Sequence, residues 1–125
     1  MQRLMLKSKI HQAVVTEADL DYEGSITIDE QLMEAVDILP YEQVQVYNIT
    51  NGSRLETYVI KGERGSGVIG ITGAAARLMN KGDRIIIAGY VCLDEKEIKA
   101  HKPKIVRVNE KNQIIDKTGL KAVSN

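Results

Sequence analysis

The sequence predicts a mainly β protein that folds as one small closed barrel with a few short helices. Short runs of β-branched residues recur along the chain and are separated by turn residues. Two of these runs are followed by similar arrangements of helix, turn and strand, and long helical repeats are scarce. A closed barrel suits this pattern because it leaves no exposed strand edge.

The clearest local feature is the Asn-Gly pair at residues 51–52, which is typical of a tight β-hairpin turn. Val44, Val46 and Ile49 mark the first strand of this hairpin, and residues 55–60 supply the second. We therefore expect two neighbouring antiparallel strands in this part of the chain.

Two stretches of the chain resemble one another in the order of their predicted elements, since each has a strand, a short helix, a turn and a second strand. Asp29 and Thr72 occupy equivalent helix-capping positions. This similarity suits an internally repeated barrel. The first stretch has its strand at residues 26–28, its helix from 29 to about 37 and its turn at 40; the second has its strand at 68–71, its helix at 73–79, its turn at 81–83 and its second strand at 84–90.

The composition favours one domain that binds neither nucleic acid nor a membrane. The 125 residues, 43% of them hydrophobic, are enough for one modest core. Seventeen basic residues balance seventeen acidic ones without a basic block, so we expect no nucleic-acid partner. No apolar run is long enough to cross a membrane, and Lys7, Lys9 and His11 interrupt the first one. We therefore expect a cytoplasmic protein without a signal peptide, beginning near Met1.

Cysteine and histidine are too sparse to predict a metal centre. The single Cys92 lies in an apolar run, where we expect a small buried strand residue, and it has no second cysteine with which to form a disulfide. His11 and His101 lack a ligand cluster at a suitable spacing. We predict no bound metal.

The residues of greatest chemical interest are Gly24 and Ser25, where a turn runs into a β-branched strand. A serine hydroxyl can swing onto the preceding carbonyl, and glycine tolerates the distorted backbone that such an attack requires. The dipeptide alone favours an ordinary junction between a loop and a strand. The motifs around it favour a junction that reacts.

Five separated motifs lie at residues 5–11, 22–29, 51–54 with 57–58, 73–77 and 101–103. In this order they resemble the motifs of the bacterial aspartate decarboxylase family. The resemblance covers about residues 1–116 and implies a small six-stranded double-psi β-barrel over that range. Residues 117–125 are polar, and we expect them to form a flexible tail.

Decarboxylation of an amino acid leaves an electron pair on Cα, which requires an electron sink that no ordinary side chain supplies. The sequence also holds no convincing pyridoxal phosphate site. The resemblance implies that Ser25 Oγ attacks the Gly24 carbonyl, that the chain is cut between these residues, and that residue 25 becomes a pyruvoyl group. This covalent cofactor takes up L-aspartate as a Schiff base. The expected products are carbon dioxide and β-alanine, for pantothenate and coenzyme A synthesis.

Thr57 and Tyr58 are site residues that the resemblance implies. Tyr58 is expected to return a proton to Cα, although a half-buried strand tyrosine is the plainer interpretation. Thr57 is expected near the processing bond and the substrate. Adjacent residues of a regular strand face opposite sides, so both reach one site only through a bulge or a neighbouring subunit.

Arg54 and Lys9 are the expected partners of the substrate carboxylates, because aspartate carries two of them. The planar guanidinium matches a carboxylate with two hydrogen bonds, whereas Lys9 adds a point charge. Which carboxylate each residue meets is open, and both side chains also fit solvated surface positions. His11 lies on the same strand face as Lys9, where it orients the site or serves only the structure.

Gly73, Ala74 and Ala75 begin the second predicted helix, and the resemblance implies that their backbone N–H groups bind substrate. An alanine-rich helix is also simply a favourable helix. The preceding residue, Thr72, departs from the asparagine common in the family. We expect its hydroxyl to cap the helix without donating and accepting as an amide does. Tyr22 lines the pocket or merely packs.

The family resemblance also implies a homotetramer whose sites lie between subunits, while the need for a maturation partner stays open. Two rival functions lead to different products. A non-enzymatic β-barrel binding module would keep the junction of residues 24 and 25 intact. An N-terminal nucleophile hydrolase would cut there but retain the α-amine of Ser25.

Overall fold

The computed structural model describes residues 1–117. Nine strands lie in this range, together with two α-helices and one 3₁₀ helix. The strands are β1 (Arg3–Val14), β2 (Glu17–Asp19), β3 (Ser25–Asp29), β4 (Gln43–Asn48), β5 (Arg54–Gly62), β6 (Ile69–Thr72), β7 (Arg84–Leu93), β8 (Lys104–Val108) and β9 (Ile114–Asp116). The helices are α1 (Glu30–Val36), the 3₁₀ helix (Gly73–Arg77) and α2 (Glu95–Ala100).

Seven strands fill six positions of a closed barrel, because β1 and β2 share one position. The hydrogen-bonded order is β2, β6, β3, β5, β4, β7 and β1. The ring closes because β2 continues β1 after only two residues. Val15 N donates to Asp83 O at 2.9 Å and Thr16 N donates to Ile69 O at 2.8 Å, so this link bonds to the chain on both sides. β8 and β9 extend the sheet outward from β1.

The barrel is internally repeated, as the sequence predicts. In the first half, β1 and β2 together form the first strand and are followed by β3 and β4. The corresponding strands of the second half are β5, β6 and β7. Each half pairs with the other in the same way: β2 runs parallel to β6 and β3 runs parallel to β5, whereas β3 with β6 and β4 with β7 are antiparallel. This interlocked arrangement confirms the mainly β, six-stranded double-psi β-barrel.

The inner face of the barrel is lined by β-branched side chains at alternate strand positions. Ile26 and Ile28 of β3, Val59 of β5, and Ile85 and Ile87 of β7 are all fully buried. Alternation places every second residue of a strand on the same face. Burying each of these side chains stabilises the fold by about 1.5–3 kcal/mol before entropy is counted.

α1 confirms the first predicted helix, because its boundaries follow from two aspartates. The buried Asp29 carboxylate accepts Gln31 N at 2.8 Å. It also accepts Gly65 N at 2.9 Å and Gly67 N at 2.8 Å, so one side chain both starts the helix and holds a distant loop. Asp37 ends the helix in the left-handed conformation, with φ +60°.

Asp29→Ala should lower the free energy of unfolding by about 3 kcal/mol, because three backbone donors, among them the buried Gly67 N, lose their charged acceptor. Asp94→Ala is the matched control, since Asp94 caps α2 on the exposed surface and accepts Glu97 N at 2.9 Å. It should cost only about 1 kcal/mol. Urea unfolding followed by circular dichroism measures both, and equal losses would contradict the structural role of Asp29.

The second predicted helix differs from the expectation in length and in its cap. It is a 3₁₀ helix that ends at Arg77 rather than at Met79. Thr72 occupies the position before the helix, but its side chain makes no capping hydrogen bond. The hydroxyl is instead engaged by the segment that contains Gly24, so tertiary contacts replace the local cap.

The hairpin is confirmed as a pair of strands, but its turn is wider than the dipeptide predicts. Residues 49–53 form the loop, and Tyr47 pairs with Arg54. The cause is the buried side chain of Asn48, whose Oδ1 accepts Thr50 N at 2.9 Å and whose Nδ2 donates to Asp83 Oδ2 at 2.8 Å. The prediction of Ile49 as a strand residue is therefore wrong.

Two other expectations need correction near the end of the chain. Cys92 lies in β7 as predicted, but it is exposed because it follows the last buried positions of that strand. α2 and β9 were not predicted. The capping box of Asp94 and Glu97 is the local signal for α2, whereas β9 forms through its pairing with β8. Beyond Lys117, the predicted tail lies outside the described residues.

Candidate active site

The junction of residues 24 and 25 lies where an exposed turn enters the barrel. Ser25 is the first residue of β3 and is only 6% exposed, whereas Gly24 is exposed. Ser25 pairs with Thr72, the last residue of β6. The antiparallel pairing of β3 with β6 therefore brings the second repeat onto the junction of the first.

Thr72 contacts the chain on both sides of the junction. Its Oγ1 lies 3.2 Å from Ser25 Oγ. It donates to Glu23 O at 2.6 Å and lies 3.4 Å from Ser25 O. A hydroxyl oxygen carries one proton and two lone pairs, so it can donate once and still accept. The expectation that a hydroxyl here does not both donate and accept is wrong.

Gly73 packs directly against the junction. It has φ +67°, and a Cβ at this position would lie 2.5 Å from Gly24 Cα and 2.8 Å from Tyr22 O. By contrast, a Cβ on Gly24 would make only ordinary contacts, at 3.7 Å from Thr72 O and 3.9 Å from Ala74 N. Only glycine at position 73 therefore lets the two turns approach this closely.

Gly73→Ala should destabilise the protein by about 3 kcal/mol or more, because backbone strain and a backbone clash add together. Gly52→Ala is the matched control. Gly52 also has a positive φ, +79°, but a Cβ there would meet nothing within 4 Å. It should cost about 1 kcal/mol. Thermal unfolding of both variants tests this difference, and similar midpoints would contradict the close packing at Gly73.

Tyr58 occupies the strand position beside Ser25. β3 runs parallel to β5 with Ile26 opposite Val59, and Ser25 and Tyr58 are the residues that precede this pair. Adjacent strands are about 4.8 Å apart, and residues in register point to the same face. The register thus brings these two predicted site residues together, with Tyr58 half-buried.

Thr57 faces away from Tyr58 in this protomer. β5 pairs with β4 without a register shift, and Thr57 lies opposite the buried Val44. A bulge therefore does not unite Thr57 and Tyr58, and the neighbouring-subunit alternative remains a prediction. Both residues border an open depression on the protein surface, together with Tyr41, Gln43 and Glu56.

Arg54 lies four positions before Tyr58 on β5 and is exposed. Its guanidinium carbon is 4.4 Å from the centre of the Tyr47 ring. The Tyr47 hydroxyl is in turn 3.0 Å from the Tyr90 hydroxyl. Stacking on a ring holds the guanidinium plane while leaving its N–H edge available to a carboxylate.

Sequence reasoning missed Tyr47 and Tyr90. A two-residue turn at positions 51–52 would place Arg54 opposite Ile49, whereas the wider loop places it opposite Tyr47. Tyr47 pairs with Ile86 of β7, so Tyr90 reaches Tyr47 only through the contact between the two hydroxyl groups. Each tyrosine is the only one in its strand, so no local pattern marks the pair, which forms through a tertiary contact.

The Tyr90 phenol should titrate unusually late. Its hydrogen bond with Tyr47, and then burial, raise the pKa of Tyr90 to about 12. The stabilisation is present below pH 10, the ordinary pKa of tyrosine, and is lost as pH rises through the folded-state value. In a near-ultraviolet titration, Tyr47→Phe should move the titration of the Tyr90 phenol back towards pH 10. Tyr41→Phe should leave the titration of Tyr90 unchanged. An unchanged late phenol in Tyr47→Phe would contradict the pair.

Lys9 and His11 lie on β1, which does not pair directly with the strand that begins at Ser25. Lys9 pairs with Ala88 of β7 and Ile105 of β8. β1 reaches the junction only through β2, whose Asp19 pairs with Thr72. β1 and β3 are not neighbours in the sheet, so the register of the described strands does not pair Lys9 with the junction.

His11 has an unusual environment among the described residues. Its Nδ1 is buried and has no hydrogen-bond partner among residues 1–117. Burial, and then the charges of Lys9 and Arg107, lower the pKa of His11. The neutral imidazole is therefore favoured, which suits a hydrogen-bonding role more than an ion pair.

The remaining predicted site residues differ in their exposure. Tyr22 is 69% exposed and Ala74 is exposed, whereas Ala75 is half-buried and packs against the core. Within residues 1–117, no group of three or more histidine, cysteine or acidic side chains is placed to hold a metal ion. No helix in the same range is long and apolar enough to span a bilayer.

Together, the fold and the site define a double-psi β-barrel protein with a glycine-serine junction enclosed by its second repeat. The family model described as aspartate decarboxylase matches residues 1–115. The chain belongs to the aspartate decarboxylase family.

Several curated relatives carry the name aspartate 1-decarboxylase. The protein of Syntrophus aciditrophicus is 64% identical over 114 residues, covering 91% of this chain and 98% of that protein. That of Thermoanaerobacter pseudethanolicus is 60% identical over 116 residues, with coverages of 93% and 99%. That of Syntrophobacter fumaroxidans is 61% identical over 122 residues, covering 98% of each.

Proposed function

We propose that this chain cuts itself between Gly24 and Ser25 and then removes the α-carboxylate of L-aspartate. The products are β-alanine, for pantothenate and coenzyme A synthesis in the cytoplasm, and carbon dioxide. The main support for this proposal is the position of Ser25. Its side chain is buried at the start of β3, its hydroxyl is hydrogen-bonded to Thr72, and the preceding residue is an exposed glycine. Family membership supports the same reaction.

The residues at the junction fit a pyruvoyl group made from Ser25. The serine supplies the attacking oxygen, and Gly24 has ordinary free space around its Cα. Attack by Oγ on the Gly24 carbonyl replaces the amide with an ester. Elimination then frees the Gly24 carboxylate, and water releases the nitrogen of residue 25 as ammonia. When formed, the pyruvoyl group supplies a ketone that serves as the electron sink for decarboxylation.

The proposed proton donor to Cα is Tyr58. It occupies the position next to Ser25 in the neighbouring strand, so its phenol is on the face where the substrate would react. A positioned phenol can deliver a proton to a developing carbanion. Arg54 would bind a substrate carboxylate through the N–H edge that its stacking on Tyr47 leaves available.

A homotetramer with sites between subunits would account for the residues that one protomer leaves apart. Lys9 and His11 lie on β1, and Thr57 is the half-buried neighbour of Tyr58 on β5. A second copy could bring its own β1 or β5 to the junction. Leu4 and Tyr41, at 68% and 76% exposed, offer apolar surface for such contacts. A maturation partner remains an open component of the proposal.

Intact-mass analysis of the purified full-length protein tests the proposed function. We expect two chains, ending at Gly24 and beginning at residue 25, and borohydride should add two hydrogens to the larger one. A single intact chain would support the binding module instead. A larger fragment that begins with an unmodified serine amine would support the hydrolase. Either result would overturn the proposal that this protein is a pyruvoyl-dependent decarboxylase.

A further inference from the structure

We propose that Thr72 positions the attacking hydroxyl of Ser25 for self-cleavage. This inference rests on the proposed function and concerns the step that prepares residue 25. The contribution of Thr72 follows from the contacts of its hydroxyl group.

The direction of the two hydrogen bonds follows from proton counting. A threonine hydroxyl has one proton, and a carbonyl oxygen can only accept. Because Thr72 Oγ1 lies 2.6 Å from Glu23 O, its proton is directed there. In the 3.2 Å contact with Ser25 Oγ, Thr72 must then accept and Ser25 must donate. The Ser25 proton therefore points to β6, and its lone pairs point elsewhere.

This arrangement contacts the chain on both sides of the bond that breaks. Glu23 O belongs to the peptide unit before Gly24, while Ser25 carries the nucleophile. The Thr72 backbone oxygen is also near Gly24, at 3.7 Å from where a Cβ would lie. One residue thus restrains the rotation of the attacking side chain and the backbone turn that presents the carbonyl. Restricting such motions lowers the entropic part of a barrier.

The step needs no co-reactant. The bond from Ser25 Oγ to the Gly24 carbonyl carbon forms, and the bond from that carbon to the Ser25 nitrogen breaks. The hydroxyl proton ends on the released nitrogen, leaving an ester and a free amine. Thr72 neither gains nor loses a proton or a covalent bond in this step, so its role is to orient Ser25.

A purely structural role for Thr72 predicts a different outcome. Its side chain does not cap the 3₁₀ helix, so losing the hydroxyl should not shorten that helix. Thr72→Val keeps the shape of the side chain and removes the hydrogen bonds. Thr72→Ser keeps the hydroxyl and removes only a methyl group. Thr27→Val, on β3, is a matched control because Thr27 is half-buried and has no part in the proposed reaction.

The full-length chains should be made by cell-free synthesis and sampled over time by mass spectrometry. We expect Thr72→Val to slow cleavage roughly tenfold to a hundredfold. Thr72→Ser and Thr27→Val should cleave at close to the wild-type rate. Unfolding midpoints measured in a Ser25→Ala background, where no variant is cut, should be similar with and without Thr72→Val.

Normal cleavage of Thr72→Val would overturn the role of Thr72 and leave the proposed function standing. Equal slowing in Thr72→Val and Thr72→Ser would also overturn it, because the hydroxyl would not be the cause. An unfolding midpoint lowered as severely as cleavage is slowed would assign Thr72 a structural role. If the wild-type chain itself stays uncut, the proposed function fails together with this inference.

Discussion

Ser25→Ala should accumulate as one uncut chain and produce no β-alanine from L-aspartate. The variant lacks the oxygen that attacks Gly24, and alanine at residue 25 cannot become the electron sink. The fold should survive, because a methyl side chain suits the buried start of β3. Intact mass and a β-alanine assay measure the two effects together.

Ser53→Ala is the matched control for this experiment. Ser53 lies in the hairpin loop, which is separate from the junction. It should be cut normally and should remain active. Normal fragments from Ser25→Ala would defeat the processing scheme, and β-alanine formation by an uncut chain would defeat the proposed cofactor.

Tyr58→Phe should be cut at the normal rate yet lose most of its turnover. The ring is retained, so packing beside Ser25 is preserved, but the proton that returns to Cα is gone. General acid catalysis contributes about a hundredfold or more, and we expect kcat to fall by that factor. Steady-state formation of β-alanine, with cleavage followed by mass, separates turnover from processing.

Tyr41→Phe provides the comparison, since Tyr41 borders the same surface depression and is exposed. It should retain close to the full kcat. Full activity in Tyr58→Phe would remove Tyr58 from the mechanism. Loss of cleavage in Tyr58→Phe would instead move its role to the processing step.

Local sequence signals predicted the elements whose causes are local. Asp29 and Asp37 bound α1 because one caps its first turn and the other adopts the left-handed conformation at its end. The β-branched run at residues 26–28 predicted a strand, which the structure has as β3. The repeated order of strand, helix, turn and strand likewise anticipated the two halves of the barrel.

Predictions failed where distant contacts override a local preference. The Asn-Gly pair predicted a tight turn, but Asn48 bonds to Asp83 and widens the loop. Thr72 had the features of a helix cap, but Glu23 and Ser25 take up its hydroxyl. Cys92 lay in an apolar run whose last residues emerge from the barrel. For Asn48 and Thr72, a residue far along the chain supplied the better partner.

The sequence by itself determined the β-rich class, the first helix, the family and the candidate junction of Gly24 and Ser25, because periodicity, capping and ordered motifs are properties of neighbouring residues. Only the tertiary structure decided that β2 closes the ring and that Tyr58 lies on the strand beside Ser25. The physical reason is that strand register and barrel closure depend on hydrogen bonds between segments far apart in the chain, which no local pattern specifies.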